Sequence, residues 1–379
     1  MKGPVMANVS KLLYTTVDPE TYLVNLTPRD RFLREAKKTI RDHLRKAFAA
    51  GSEQAFGRMV RPRFFTQGSF AYKTLNDPAW PPHQQMDLDD GCYLPLSFVQ
   101  GTRPSQAATM FFEFVDTALK DMAEEMGWDH VEKPTCSRLV ISSDAHIDVP
   151  LYAIPDAQFQ LLEVHDALST RTAIKKSLDD WSDLPSDAVL LAHRDEDWVE
   201  SDPRLIHRWF TDAVRLYGER LRRDARFIKG WRDHFELDQY RVTSILLMAC
   251  IWQAYEEIRG LYLPEREDER LLAVAERLSG YLRTAVPNPA CKSEDLNRIA
   301  GHHREMVARK MEKLASQLEE IVKRCDNEAE AVAQMRAAFG LRVPNRPDLV
   351  SIPATLAGKI TAQSKKAVPA PEVGRSVSG

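Results

Sequence analysis

Strand patterns crowd into the first part of this chain, and almost none follow residue 155. A chain built that way folds as a mixed α/β half followed by an all-helical half. Arg63 to Thr66 reads as a short aromatic strand end, and the Asp87 region as a second strand running on toward Val99. Arg138 to Ile141 and His146 to Ala153 read as an adjoining pair of strands. Thr27-Pro28 opens a helix, as a cap residue followed by proline at the first helical position. Phe32, Ala36, Ile40, Leu44 and Phe48 then recur at every fourth position until Gly51 stops the run. Ser105 to Met126 is a second helix, with Phe111, Val115, Leu119, Met122 and Met126 on its inner face.

Residues 156–200 are polar and irregular, with Trp181 and Trp198 as the anchors. Ser201-Asp202-Pro203 starts the next helix, whose stripe runs through Ile206, Phe210, Val214, Tyr217, Leu221, Ala225 and Ile228 into Trp231. Ser244 to Ile258 is apolar enough to be the central helix of a bundle, and Leu271 to Leu282 and Leu296 to Arg324 supply further amphipathic helices. Residues 1–26 read as irregular, with Leu12, Leu13 and Tyr14 docking on the fold. The expected division is 1–200 for the N-terminal helix and α/β core, 201–343 for the helical domain, and 344–379 for a disordered tail rich in Pro, Ala, Ser, Val and Lys. The fold class is thus α+β, with a cleft between the halves.

The most specific chemistry lies on the strands. Met86-Asp87-Leu88-Asp89 alternates apolar and acidic residues, so on a strand Asp87 and Asp89 share one face. Two adjacent carboxylates repel each other unless a cation lies between them, and oxygen-only ligands suit Mg²⁺. A calcium loop needs acids at its first, third and fifth positions, but Gly91 takes the fifth place counted from Asp87. Asp148 is the one charge in an otherwise apolar strand, so it needs a metal or a cationic partner such as Arg138. Gln67-Gly68-Ser69 offers a turn where a phosphate can approach the backbone closely. A Gly-Ser turn, paired aspartates and a later lone aspartate make up a two-metal phosphoryl-transfer site.

Composition narrows the class. A net charge of −3 leaves no excess of Lys and Arg for a nucleic-acid backbone, so no stable nucleic-acid partner is expected. Five cysteines without CxxC spacing point to reduced thiols and a cytoplasmic setting. No apolar run is long enough to span a bilayer, and the N-terminus lacks a secretory pattern.

Gly68-Ser69 with Asp87-Leu88-Asp89 resembles the signature of the polymerase-β-like nucleotidyltransferases. The longer runs Gln67-Gly-Ser-Phe-Ala-Tyr72, Met86-Asp-Leu-Asp-Asp-Gly91 with Tyr93-Leu-Pro95, and His146-Ile-Asp-Val-Pro-Leu-Tyr-Ala-Ile-Pro155 are similar to the bacterial cyclic-dinucleotide synthases of the cGAS/DncV-like group, in its DncV branch. The resemblance extends through Leu221-Arg-Arg223 and Lys229-Gly-Trp-Arg232 to about Arg342. The chain departs from the wider superfamily at Asn76 to Gln85, a proline-rich insertion beside the site.

The resemblance implies two Mg²⁺ ions, with Mn²⁺ as the alternative, held by Asp87, Asp89 and Asp148. It implies ATP and GTP as substrates and 3′,3′-cyclic GMP-AMP as the product. That product would activate a downstream effector in antiphage defence. Nucleotide contacts would fall on Gln67, Gly68, Ser69, Phe70, Ala71, Tyr72, Arg138, Ser201, Lys229, Ser244 and Asp295. Tyr72 reads equally as core, Ser201 equally as a helix cap, and Asp90 as a supporting or solvent-facing acid. The basic face of helix 28–50 is either a solvated face or a surface for an anionic regulator. His302-His303 reads as surface. C-terminal Gly379 matches a family feature in which a ubiquitin-transfer-like (E1/E2-type) partner conjugates the synthase. The rival readings are a linear-product or RNA-tailing nucleotidyltransferase and a non-catalytic nucleotide-binding or docking module.

Overall fold

The computed structural model describes residues 7–15, 27–97, 103–156, 159, 189–195, 197–259, 263–291 and 294–352. The α/β lobe is built on a seven-stranded sheet whose main path runs β1-β2-β5-β4-β3. Its strands are β1 (Arg63–Gln67), β2 (Met86–Pro95), β3 (Asp129–Glu132), β4 (Cys136–Ser142) and β5 (Ala145–Ile154), with β6 (Leu190–His193) and β7 (Asp197–Glu200) beside them. The register decides the site. β2 and β5 run parallel, with Asp87 opposite His146 and Asp89 opposite Asp148. β4 runs antiparallel to β5 and sets Arg138 opposite Asp148, and β1 sets Gln67 opposite Asp89.

Side chains alternate across a strand, so Met86, Leu88, Ile147 and Val149 go to one face. There they join a core with α2 (Thr27–Phe56) and α4 (Pro104–Met126), through Ile40, Leu44, Phe48, Phe111, Val115 and Leu119. The acids are left on the other face, toward the helical lobe. A one-turn helix, α3 (Gly68–Ala71), follows β1 directly.

The helical lobe comprises α5 (Pro203–Tyr217), α6 (Glu219–His234), α7 (Ser244–Arg259), α8 (Glu267–Arg283), α9 (Gly301–Arg324) and α10 (Glu328–Phe339). Helix α7 is buried along most of its length and packs on α8 and α6. A buried cluster beside it joins Asp224, Arg270 and Tyr255, with Arg270 Nε donating to Asp224 at 2.9 Å and Tyr255 Oη at 2.6 Å. Burial of Arg270 is affordable only because its charge is matched in place.

Several sequence expectations are corrected here. Strands do follow residue 155: β6 pairs with β5 at Tyr152 and Ala153, and β7 extends the sheet. Each has four residues, too few to print an alternation. Gly51 does not end α2, which runs on to Phe56. A Cβ there would meet the Phe114 ring at 3.2 Å, so the glycine permits close packing of α2 on α4. The single stripe from Ile206 to Trp231 is two helices, broken at Gly218, whose φ of +79° suits only glycine without strain. Helix α9 starts at Gly301, not at Leu296.

The chain ends also differ from expectation. Ser10–Leu13 forms a short helix, α1, and Leu12 and Leu13 enter the helical lobe's core. Val9 N and Ser10 Oγ donate to Asp268 at 2.7 and 2.8 Å. The expected tail starts too early, since Pro347–Leu349 forms a helical turn, Val350 is buried and Ser351 pairs with Asn8. Trp181 and Gly379 lie outside the described residues.

Candidate active site

Asp87, Asp89, His146 and Asp148 form a two-by-two block on the sheet face that looks toward the helical lobe. Asp148 is 7% exposed. Arg138, from the neighbouring strand, grips it with two bonds, Nε at 2.6 Å and a terminal guanidinium nitrogen at 2.8 Å. The buried charge therefore has the cationic partner that its surroundings require. Asp89 has none so direct. Burial pushes its carboxyl well above the usual range, and the charges of Asp87 and Asp148 push it further. Three acids crowded in this way favour a divalent cation, which removes the repulsion that otherwise forces a proton on. Carboxylate oxygens of Asp87 and Asp148 and a ring nitrogen of His146 lie within 4.8 Å of one another, close enough for a shared ion. Two carboxylates and an imidazole suit a divalent cation, but this set differs from the oxygen-only trio of Asp87, Asp89 and Asp148 expected from the sequence, since His146 stands where Asp89 was expected.

The Gly-Ser turn is pressed against this block. Gly68 has a φ of +69°, and a Cβ on it would lie 2.0 Å from Asp89 Oδ2. Glycine is required twice there, for the backbone angle and for the carboxylate. Next to it, Ser69 Oγ accepts from Lys229 Nζ at 2.9 Å, and Thr74 O accepts from the same ammonium at 2.7 Å. Lys229 reaches across from α6 and so ties the two lobes together at the turn. Burial, with help from the Arg232 charge, lowers its pKa to about 7. Arg232 in turn donates to Ser244 Oγ at 3.0 Å.

Between the lobes lies a cavity of about 310 Å³ whose lining includes Ser69, Asp87, Arg138, His146, Lys229 and Ser244. The insertion foreseen at Asn76 to Gln85 forms one wall through Asn76, Pro78, His83, Gln84 and Gln85. It is fastened to the helical lobe: Trp80 Nε1 donates to His234 O at 3.2 Å, and Gln84 Nε2 to Asp233 O at 3.0 Å.

The remaining residues implicated by the sequence lie elsewhere. Gln67 Nε2 donates to Tyr152 Oη at 3.0 Å beneath the turn. The Phe70 ring packs in the sheet core, under the cations of Arg34 and Lys37. Ala71 and Tyr72 pack against the helical core, the Tyr72 ring 5.8 Å from those of His207 and Phe210. Ser201 N donates to Val189 O at 3.1 Å, while the cap of α5 is Asp202. Asp295 Oδ1 accepts from Val286 N and Asn297 N, both at 2.8 Å, and so fixes a turn outside the cavity lining.

Asp90 is neither catalytic in position nor solvent-facing. It is 1% exposed and accepts from Arg41 at 2.6 Å and from Thr66 Oγ1 at 2.8 Å. Part of the basic face of α2 is thereby spent inward, on Asp90 and, through Lys37, on Thr66. His146 and Gln85 went unassigned on the sequence. The position of His146 two residues before Asp148, hence on the same strand face, is the signal that places it in the block.

Residues 62–152 match the family model described as cyclic GMP-AMP synthase DncV-like, nucleotidyltransferase domain. Residues 218–352 match the one described as cyclic GMP-AMP synthase, C-terminal domain. A cyclic GMP-AMP synthase of Vibrio cholerae is 35% identical over 309 residues, covering 76% of this chain and 69% of that protein. One from Escherichia coli is 33% identical over 341 residues, covering 84% and 76%. The solved V. cholerae DncV in complex with the linear intermediate 5′ pppA(3′,5′)pG superposes with a TM-score of 0.74 at 26% identity, covering 92% of this chain and 99% of that one. A mutant of the same enzyme with ATP and GTP also gives 0.74, at 26% identity and with 91% and 99% covered.

Proposed function

Because the chain belongs to the DncV-like cyclic GMP-AMP synthase family of nucleotidyltransferases, we propose that it joins ATP and GTP into 3′,3′-cyclic GMP-AMP and releases pyrophosphate. The observation that carries the reading is the convergence of three carboxylates on one sheet face, of which Asp87 lines the interlobe cavity together with Ser69 and Lys229.

Asp87, Asp89 and Asp148 would hold two Mg²⁺ ions, with Mn²⁺ as the alternative, and these would supply charge neutralisation at the phosphates and a more acidic acceptor hydroxyl. The chain's own groups do the rest. Gly68 lets the donor's phosphates approach the backbone, and Ser69 caps them. Lys229, whose pKa burial lowers to about 7, is only partly charged near neutral pH and gains charge when an anion arrives. The acceptor 3′-oxygen attacks the donor α-phosphorus in line. The new P–O bond forms as the bond to pyrophosphate breaks, and the hydroxyl proton passes to a carboxylate of the block, Asp148 in this reading. The linear intermediate then rebinds turned around, and a second attack of the same kind closes the ring. Arg138 and Ser244 line the cavity where base and sugar would lie.

A cytoplasmic setting, an effector activated by the product in antiphage defence, and a ubiquitin-transfer-like partner at Gly379 extend the proposal from the family resemblance. Incubation with labelled NTPs and Mg²⁺ tests its chemistry. The expected product resists phosphatase and contains two bases, and Asp87→Ala with Asp89→Ala abolishes it while leaving a folded protein. Full synthesis by that double variant would sink the assignment of the acids.

A further inference from the structure

His146 is 7% exposed and sits in the acid block, opposite Asp87 and two residues before Asp148. Its Nδ1 lies 2.9 Å from Gln85 Oε1. The orientation of that amide is fixed by its other end, where Gln85 Nε2 points at Ser142 O and Ser143 O at 3.5 and 3.4 Å. An amide oxygen only accepts, so Nδ1 carries the hydrogen. In a neutral ring, Nε2 is then left with a bare lone pair.

That nitrogen lies 3.1 Å from Asp87 Oδ1. Both atoms are buried, and neither has a hydrogen-bond partner among the described residues. In a neutral ring these two lone pairs repel each other, and either a proton on Nε2 or a shared metal ion removes the conflict. The carboxylate of Asp148 is within reach of the same point. A histidine that binds metal characteristically spends its other nitrogen on an acceptor that fixes its tautomer, and Gln85 supplies that acceptor.

We infer that His146 is a further protein donor to the cation site, through Nε2, and that Gln85 is the residue that positions it. The inference rests on the cation reading of the acid block and deepens it. Its chemical consequence is a mixed nitrogen and oxygen donor set on one ion. Mg²⁺ favours oxygen, whereas imidazole suits transition metals, so this donor set binds Mn²⁺ more tightly than Mg²⁺.

The test is pulsed electron paramagnetic resonance of Mn²⁺ bound to the full chain with a non-hydrolysable nucleotide. Protein of natural isotopic abundance is compared with protein carrying ¹⁵N-histidine. The expected result is a nitrogen coupling that changes with the label, disappears in His146→Asn and persists in His83→Asn. Gln85→Leu should weaken Mn²⁺ binding about tenfold, as loss of a ligand's supporting partner does. Bound Mn²⁺ without a histidine coupling, or a coupling that survives His146→Asn, overturns the inference and leaves the acid block's role intact. No Mn²⁺ binding at all, in the unsubstituted protein with nucleotide, overturns the inference together with the reading beneath it.

Discussion

Gly68→Ala puts the geometry of the block under direct strain. Its φ of +69° disfavours any residue with a Cβ, and alanine there costs about 1 kcal/mol in backbone energy. The larger effect is steric. The new methyl would start 2.0 Å from Asp89 Oδ2, and an ordinary contact needs about 3.4 Å. Either the carboxylate retreats by about 1.4 Å or the turn does, and a displacement of that order at a reacting centre costs about a hundredfold in rate. Gly127→Ala is the matched control, because that glycine has a φ of +67° and nothing within 4 Å of the added carbon. Both variants should lose stability in urea, Gly68→Ala the more because of its clash, while only Gly68→Ala loses synthesis, measured as initial rate of pyrophosphate release at saturating ATP and GTP. A folded Gly68→Ala protein with an unchanged rate would refute the claim that Asp89 is held against the turn for catalysis. Equal loss of rate in the control would show that backbone strain, not the clash, is responsible.

Lys229→Met tests the buried ammonium. Between pH 7 and 10.5 the unfolded chain binds a proton that the folded lysine lacks, so this group makes stability rise with pH across that window, by up to about 1.4 kcal/mol per unit. Urea midpoints at pH 7.5 and 9 should show a flatter profile in the variant, and nucleotide binding at pH 8.5 should take up a proton only in the unsubstituted protein. Arg41→Met strands the Asp90 carboxylate in the sheet core and should cost about 3 kcal/mol in urea unfolding, with Asp90→Leu in the same chain restoring much of it. A loss below about 1 kcal/mol would mean that the pair behaves like a surface ion pair.

The acid block is legible in the sequence because a strand's period of two is rigid: Asp87 with Asp89, and Asp148 between apolar neighbours, have one arrangement open to them. The pairing of the two strands is not written locally. Parallel neighbours are joined by long connections, and here the segment between β2 and β5 contains α4, β3 and β4. Only the register shows that Asp89 faces Asp148 and that His146 faces Asp87. Residues whose roles depend on distant partners were hidden for the same reason. Asp90 reads equally as a supporting or a solvent-facing acid until Arg41 is brought to it from α2. Tyr72, beside the Gly-Ser turn in sequence, is claimed by the aromatic side chains of α5. Gly51 reads as a breaker and Gly218 as a position inside one stripe, yet Gly51 sits inside a helix against Phe114 and Gly218 separates two. Neighbouring helices settle such cases, and periodicity within a single segment carries no record of them.

The most direct check is high-resolution mass spectrometry of what the purified chain makes from equimolar ATP and GTP with Mg²⁺, after phosphatase treatment. The expected product is a single dinucleotide with the mass of the cyclic species, which carries one phosphoryl group more and one water less than the linear dinucleotide that phosphatase would leave. A ladder of longer oligonucleotides, or unreacted nucleotides that nevertheless bind tightly in the cavity, would contradict it.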